Sequence, residues 1–170
     1  MNITKLSTGK NPPSEINVFI EIPKDSNIKY ELDKDSGIII VDRFLHTAMV
    51  YPFNYGFIQN TLAEDGDPTD VIVLSEYAVA PGVVIPATVI GMLEMEDEAG
   101  IDTKILAVPS LKIDPFFGSY KDITDVPDAI KNKLKHFFEN YKTLEPGKWV
   151  KIKDWKDKAS AEADVNKGMK

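Results

Sequence analysis

The chain has 170 residues, enough for one domain with its own hydrophobic core, so a single domain over 1–170 is expected. Its 27 acidic and 20 basic side chains give a net charge of −7, which disfavours binding to nucleic acid or to a membrane surface. The cysteine-free composition excludes disulfides, zinc–thiolate sites and thiol catalysis. With neither a signal peptide nor a spanning apolar segment, we expect a cytoplasmic protein.

The first two-thirds of the chain predicts short β-strands separated by Gly, Pro and Asp. Residues 17–22 and 28–32 alternate between apolar and polar side chains, which places Lys29 and Glu31 on one strand face. If these two strands pair, Glu21 joins that face. Further strands rich in β-branched residues are predicted at 38–44, 71–74, 83–93, 104–108 and 149–152.

The last third of the chain predicts helices. Within 125–142, apolar residues recur at helical spacing and form one stripe: Ile130, Leu134, Phe137, Phe138 and Tyr141. We expect Thr124 or Asp125 to cap this helix and Pro146 with Gly147 to end it. A short C-terminal helix is predicted over about 160–167. Strands followed by one or two helices predict an α+β fold, a small β-barrel with helices packed on it.

Residues 64–70 (EDGDPTD) form an acidic segment directly before an apolar run. Gly66 allows a tight turn and Pro68 prevents a helix, so Asp65, Asp67 and Asp70 are expected to crowd one loop. Mg²⁺ and Ca²⁺ prefer such oxygen ligands, although a solvated acidic turn is the alternative. An EF-hand is disfavoured because Asp70 occupies the position where that loop needs glycine.

A second acidic cluster surrounds a predicted hairpin turn at 99–100. Its members are Glu94, Glu96, Asp97, Glu98 and Asp102. Alone, such a cluster is typical of a solvated hairpin tip. If both clusters converge at one side of a barrel, they form a multi-metal site.

Several cationic and aromatic residues are candidates for binding phosphate. Arg43 is the only arginine; its planar fork suits phosphate, although a surface salt bridge is the alternative. Lys29 belongs either to a cross-strand charge ladder or to a phosphate pocket. The stripe favours a core position for Tyr141, and Lys142 near a helix end also interacts favourably with the helix dipole.

Taken together, the residues favour metal-assisted phosphoryl chemistry. A non-catalytic module that binds cations or phosphate is the main alternative. A nucleotide-directed hydrolase and a nucleic-acid-binding barrel are weighed behind it.

The chain resembles the soluble family I inorganic pyrophosphatases, in their short bacterial form, over about 9–155. The resemblance is carried, in chain order, by IEIP (20–23), IKYELDKDSG (28–37), VDRF (41–44), YPFNYGFI (51–58), DGDPTDV (65–71), DEAGIDTK (97–104) and HFFENYK (136–142). It implies a five-stranded, OB-like closed barrel with helices packed on it. It also implies hydrolysis of pyrophosphate to two phosphates with several Mg²⁺ ions. Thr69 departs from the family pattern, where an aliphatic residue is usual.

The resemblance also implies a role for each site residue. Asp65, Asp70 and Asp102 would hold the activating metals, and Asp97 would join them at a further metal that arrives with substrate. Asp67 would orient and deprotonate the attacking water, while Glu21 and Glu31 would line the shell of metal-bound water. The residues expected to hold phosphate are Lys29, Arg43, Tyr55, Lys104, Tyr141 and Lys142, with Tyr51 in support behind them. A homo-oligomer, with a hexamer favoured, is implied as well; candidate interface aromatics are Phe116, Phe117 and His136.

Overall fold

The computed structural model describes residues 3–170, with Thr4 as backbone only. Its strands are β1 (Glu15–Ile22), β2 (Ile28–Asp33), β3 (Ile38–Phe44), β4 (Asn54–Ile58), β5 (Asp70–Val73), β6 (Val84–Asp97), β7 (Gly100–Ile101), β8 (Lys104–Pro109) and β9 (Val150–Lys156). Its α-helices are α1 (Asp128–Asn140) and α2 (Lys158–Gly168). Short 3₁₀ turns cover Ile3–Lys5, Phe117–Ser119 and Ile123–Asp125.

Five strands close into a barrel. They pair in the order β1–β4–β5–β8–β6, and β6 pairs back onto β1. Neighbours run antiparallel except β5 and β8, which are parallel. The long strand β6 also pairs with β7 and β9, while β2 and β3 form a separate two-stranded sheet. The closed five-stranded barrel expected from the resemblance is therefore confirmed.

The barrel strands are buried on both faces, which explains their unbroken apolar runs. Alternate residues of β5 belong to two different cores: Ile72 lies in one, and Val71 and Val73 lie in the other. The first core includes the apolar stripe of α1, and the second includes Ala161 and Val165 of α2. The two helices thus cover different cores of the same sheet.

Strand β4 was not among the strands predicted from the sequence pattern. Asn54–Ile58 is fully buried and pairs with both β1 and β5. Gly56 permits the close approach, because a Cβ at this position would lie 1.9 Å from the carbonyl oxygen of Phe19. The aromatic composition hid a central strand whose partners are distant in the chain.

Both helices are confirmed, with corrected ends. Helix α1 begins at Asp128 after Pro127, because Asp125 instead forms a capping box with Asp122 around the preceding 3₁₀ turn. It ends at Asn140, well before Pro146. Helix α2 begins at Lys158, and the Asp157 carboxylate caps it by accepting from the Ser160 N–H at 2.9 Å.

The three aromatic residues considered as interface candidates differ in exposure. Phe116 and His136 are exposed, as expected. Phe117 is only 7% exposed and packs against neighbouring aromatic rings, so its expected exposure is wrong. Among the helices of the described chain, none is long and apolar enough to cross a membrane.

Candidate active site

One cavity of about 590 Å³ lies at the end of the barrel where β5 and β8 begin and β6 ends. The predicted site residues that line it are Glu21, Lys29, Glu31, Tyr51, Tyr55, Asp65, Asp67, Asp70, Asp97, Asp102, Lys104 and Tyr141. Arg43 and Lys142 lie outside this lining. Segments far apart in the chain, including parts of both acidic clusters, therefore converge on one space.

The parallel register of β5 and β8 places Asp70 beside Lys104. Val71 pairs with Ile105, so the residues just before them start the two strands side by side. The Lys104 Nζ lies 2.6 Å from an oxygen of Asp70 and 2.6 Å from an oxygen of Asp102. Burial alone would lower the pKa of this ammonium, but the neighbouring acidic groups outweigh it and hold the pKa well above its usual value. Lys104 is therefore a buried cation between two carboxylates.

The loop between β4 and β5 carries the first acidic cluster. Gly66 adopts a φ of +89°, which confirms the tight turn expected there. Within the loop, the Ala63 N–H donates to the Asp67 carbonyl at 2.7 Å, and the Asp67 N–H donates to the Asp65 carboxylate at 3.0 Å. The backbone of this loop therefore folds back on itself, and Asp65, Asp67 and Asp70 all line the same cavity.

The separate β2–β3 hairpin forms another wall. Lys29 pairs with Glu31 and, at 3.1 Å, with Asp42. The condition that β1 and β2 pair is not met, because β2 pairs with β3 while β1 pairs with β4 and β6. Glu21 reaches the hairpin differently: its carboxylate accepts from the Leu32 N–H at 2.7 Å. Burial raises the pKa of Glu21 to about 7.

The second acidic cluster divides into two parts. Asp97 and Asp102 line the cavity. Glu96 instead pairs with Lys153 at 3.3 Å, and Glu94 pairs with Lys156 at 3.6 Å, both on the neighbouring strand β9. Glu94 and Glu96 thus form ion pairs between β6 and β9, so they belong neither to the cavity nor to the solvated hairpin tip that was the alternative for this cluster.

Lys142 and Arg43 are held by ion pairs just outside the cavity. The Lys142 Nζ lies 2.9 Å from an oxygen of Asp97. The Arg43 guanidinium lies 2.8 Å from Asp42 through Nη1 and 3.1 Å from Glu145 through Nε. In this arrangement Arg43 makes the salt bridges that were the alternative to phosphate binding.

Three buried tyrosines line one side of the cavity. Tyr51, Tyr55 and Tyr141 are buried, and burial raises the pKa of each hydroxyl, so all three stay protonated and able to donate hydrogen bonds. Tyr141 stacks on Phe137 with ring centroids 5.0 Å apart, as its place in the α1 stripe predicted. Because it also lines the cavity, its core position and a role toward phosphate are compatible.

The donor chemistry of the cavity fits Mg²⁺. Asp65, Asp70, Asp97 and Asp102 offer hard carboxylate oxygens from three segments. As they stand in residues 3–170, no three acidic or histidine side chains are arranged to hold one ion together. Lysine ammonium groups instead lie against Asp70, Asp97 and Asp102, so the carboxylates are balanced by the chain's own cations.

Sequence reasoning missed Lys34. This residue follows β2 in the hairpin turn, lines the cavity, and places its Nζ 2.6 Å from an oxygen of Asp67. It lies within the IKYELDKDSG motif, but a turn lysine carries no periodic signal. Only the tertiary placement of the hairpin opposite the acidic loop identifies it.

Comparisons with known proteins agree on one family. A family model described as inorganic pyrophosphatase matches residues 18–170. The inorganic pyrophosphatase of Aquifex pyrophilus is 57% identical over 169 residues, covering 99% of this chain and 96% of that protein. The solved inorganic pyrophosphatase of Helicobacter pylori superposes with a TM-score of 0.93 at 50% identity, covering 97% of this chain and 96% of that one. The structure from Thermus thermophilus also gives 0.93, at 46% identity and with 98% and 95% coverage.

Proposed function

The chain belongs to the inorganic pyrophosphatase family and hydrolyses pyrophosphate to two phosphate ions; we propose that it does so with Mg²⁺ in the cavity around Asp67, Asp70 and Lys104. The observation that carries this proposal is the convergence of carboxylates, lysines and tyrosine hydroxyls on one cavity. A purely acidic cavity would repel a polyanion, and a purely basic one would offer Mg²⁺ no ligands.

The metal-binding role is proposed for the acidic walls. Asp65, Asp70 and Asp102 hold the activating Mg²⁺, and Asp97 contributes to a further ion that enters with substrate. Glu21 and Glu31 hold water molecules at the same wall. When bound, Mg²⁺ supplies positive charge toward the phosphate oxygens and lowers the pKa of a bound water. Donors of the preferred type in the cavity lining support this assignment.

Asp67 is proposed to position the attacking water and take its proton. It lies on the cavity wall, and its carboxylate is two-thirds exposed, so a water molecule can reach it. Its partner Lys34 is equally exposed, and the Lys34 Nζ lies 2.6 Å from one oxygen of the Asp67 carboxylate.

The substrate is proposed to be held by the cationic and phenolic groups. Lys29, Lys104, Lys142 and Arg43 neutralise the two phosphoryl groups, while Tyr55 and Tyr141 donate hydroxyl hydrogen bonds. Tyr51 supports both tyrosines from behind, with ring centroids 5.5 Å from Tyr55 and 6.2 Å from Tyr141. Phosphoryl transfer asks the protein mainly for positioning and charge stabilisation, which this set supplies.

Phosphate release from pyrophosphate tests the proposal. We expect fast release with excess Mg²⁺ and loss of release when a chelator is added. Folded protein that binds Mg²⁺ without releasing phosphate would contradict the proposal and favour the cation-binding module. Release that persists in chelator would contradict the metal requirement.

Two further predictions stand beside this proposal, one from the composition and one from the resemblance. A cytoplasmic location remains a prediction. A homo-oligomer, with a hexamer favoured, also remains a prediction, and Phe116, which is 57% exposed, is a candidate contact. Light scattering tests the oligomer, and a monomeric mass would contradict it.

A further inference from the structure

We propose that the hydroxyl of Thr61 positions the loop carrying Asp65, Asp67 and Asp70 before any metal binds. It does so through two hydrogen bonds, to Ile58 and from Thr69, which together are called the clasp. The inference rests on the proposed function, because it concerns how the chain holds its own metal-binding carboxylates. Thr61 is a positioning residue: it acts through the loop and lies behind the carboxylates.

The clasp joins the two ends of the loop. The Thr61 hydroxyl donates to the carbonyl of Ile58, the last residue of β4, at 2.6 Å. It accepts from the N–H of Thr69, the residue just before β5, at 2.9 Å. Beside it, the Ile58 N–H donates to the Thr69 carbonyl at 3.0 Å. One side-chain hydroxyl therefore ties together the strand that precedes the acidic segment and the strand that follows it.

The surroundings make this hydroxyl hard to replace. Thr61 and Thr69 are only 2% and 3% exposed, so water has little access to the donor and acceptor if the hydroxyl is removed. Threonine's branched side chain fills the same space as valine, but valine offers neither hydrogen bond.

The C-terminal segment also contacts the first end of the loop, at Thr61 and Leu62. The Leu62 N–H donates to the Gly168 carbonyl at 2.8 Å, and Thr61 forms a β-bridge with Met169. With both ends of the loop held, Asp70 is fixed at the start of β5, and Asp65 and Asp67 lie on the short segment between the two fixed ends. The loop then meets Mg²⁺ with its carboxylates already gathered, at a smaller cost in conformational entropy.

Mg²⁺ titration calorimetry without substrate tests this role. We expect Thr61→Val to raise the dissociation constant for Mg²⁺ about tenfold or more, the usual effect of losing a group that orients metal ligands. Saturating Mg²⁺ should restore most of kcat, because the reacting groups remain. Thr61→Ser keeps the hydroxyl and should stay within about twofold of wild type. Thr69→Val, a matched control, removes a buried hydroxyl of the same loop that takes no part in the clasp. Unchanged Mg²⁺ affinity in folded Thr61→Val would overturn the inference, as would equal weakening in Thr69→Val.

Amide hydrogen exchange on the wild-type protein provides the second test, and it does not depend on the variant folding. In chelator, the Thr69 N–H should exchange as slowly as the buried amides of β5. Fast exchange that slows only when Mg²⁺ is added would overturn the inference, since the metal would then be ordering the loop. Wild-type protein that neither binds Mg²⁺ nor releases phosphate would refute the proposed function itself, a result distinct from either outcome for the clasp.

Discussion

Lys104 and Asp70 begin two parallel strands side by side, with the lysine Nζ 2.6 Å from the aspartate oxygen. The same ammonium lies 2.6 Å from Asp102, so one buried cation separates two carboxylates that would otherwise repel each other. Mg²⁺ bound by these carboxylates would neutralise the same charges. The internal cation and the metal are therefore partly interchangeable in their effect on stability.

Replacing Lys104 tests this relationship. Lys104→Met leaves two partly buried carboxylates without their cation, so we expect the free energy of unfolding in chelator to fall by about 3 kcal/mol. Excess Mg²⁺ should recover most of this loss, while turnover should stay at least about a hundredfold below wild type, because a group that stabilises phosphoryl charge is gone. Urea unfolding with and without Mg²⁺, together with phosphate release, measures both effects.

A matched control is available on the neighbouring sheet edge. Lys153 pairs with Glu96 at 3.3 Å, with both side chains about two-fifths exposed. Lys153→Met should therefore change stability by less than about 1 kcal/mol. If Lys104→Met and Lys153→Met lower the free energy of unfolding equally, burial of the Lys104 ammonium does not explain the loss of stability.

Asp67→Asn separates proton transfer from metal binding. The amide keeps the shape of the side chain but is a far weaker base, so turnover should fall about 10²- to 10⁴-fold. Mg²⁺ affinity should change little, because Asp65, Asp70 and Asp102 remain. Phosphate release and Mg²⁺ titration on the same preparation measure the two properties, and parallel losses in both would identify Asp67 as a metal ligand only.

Arg43→Lys distinguishes the two interpretations of the single arginine. Lysine keeps the charge but loses the planar fork that bridges Asp42 and Glu145 and that would bind phosphate oxygens. We expect kcat/KM for pyrophosphate to fall about tenfold, with the global stability nearly unchanged. Steady-state kinetics measures the first, and urea unfolding measures the second. Wild-type kinetics with reduced stability would favour a purely structural salt bridge.

The sequence predicted much of the local structure and the residue types of the site. The strictly alternating strand at 28–32 and the apolar stripe of α1 were recognisable because they depend on neighbours three or four positions away at most. Gly66 was recognisable for a similar reason, because its positive φ is a local requirement. The closed five-stranded barrel and the roles proposed for the site residues were predicted from the resemblance to the family and not from the sequence pattern.

The remaining features depend on contacts between distant segments. Pairing of β4 with β1 and β5 turned an aromatic stretch into a central strand, which its composition did not indicate. The contact between Lys34 and Asp67 joins a hairpin turn to a loop 33 positions away. Thr61 carries no motif signal either, since its role comes from a hydroxyl shared between Ile58 and Thr69.

The buried carboxyl of Glu21 predicts a pH dependence of stability in the metal-free protein. Its pKa rises from an ordinary 4.5 to about 7 because of burial, so between these values the folded state binds the proton more tightly than the unfolded state. The contribution of this carboxyl to the free energy of unfolding is therefore fully present below about pH 4.5 and is lost as the pH rises through about 7. The loss amounts to about 3 kcal/mol at most.

Glu21→Gln should remove this part of the pH dependence. In chelator, urea unfolding between pH 5 and 8 should show wild type losing stability relative to the variant as pH rises. Glu64→Gln is a suitable control, because Glu64 is exposed and its hydrogen bond from Lys167 lowers its pKa. Wild-type and Glu21→Gln curves that stay parallel across this range would contradict the assignment.

Tyr141→Phe tests whether one residue serves both the core and the substrate. The ring stacked on Phe137 is retained, so the free energy of unfolding should stay within about 1 kcal/mol of wild type. The hydroxyl is lost from the cavity wall, so kcat/KM should fall about tenfold if it donates to a phosphate oxygen. Phe137→Ala supplies the opposite case: it should cost about 3 kcal/mol or more through the cavity it leaves in the core. Urea unfolding and steady-state kinetics on the two variants should give opposite patterns, since the hydroxyl acts on substrate and the ring acts on packing. If Tyr141→Phe keeps wild-type kcat/KM, the phosphate role is wrong and the apolar stripe of α1 accounts for the residue completely.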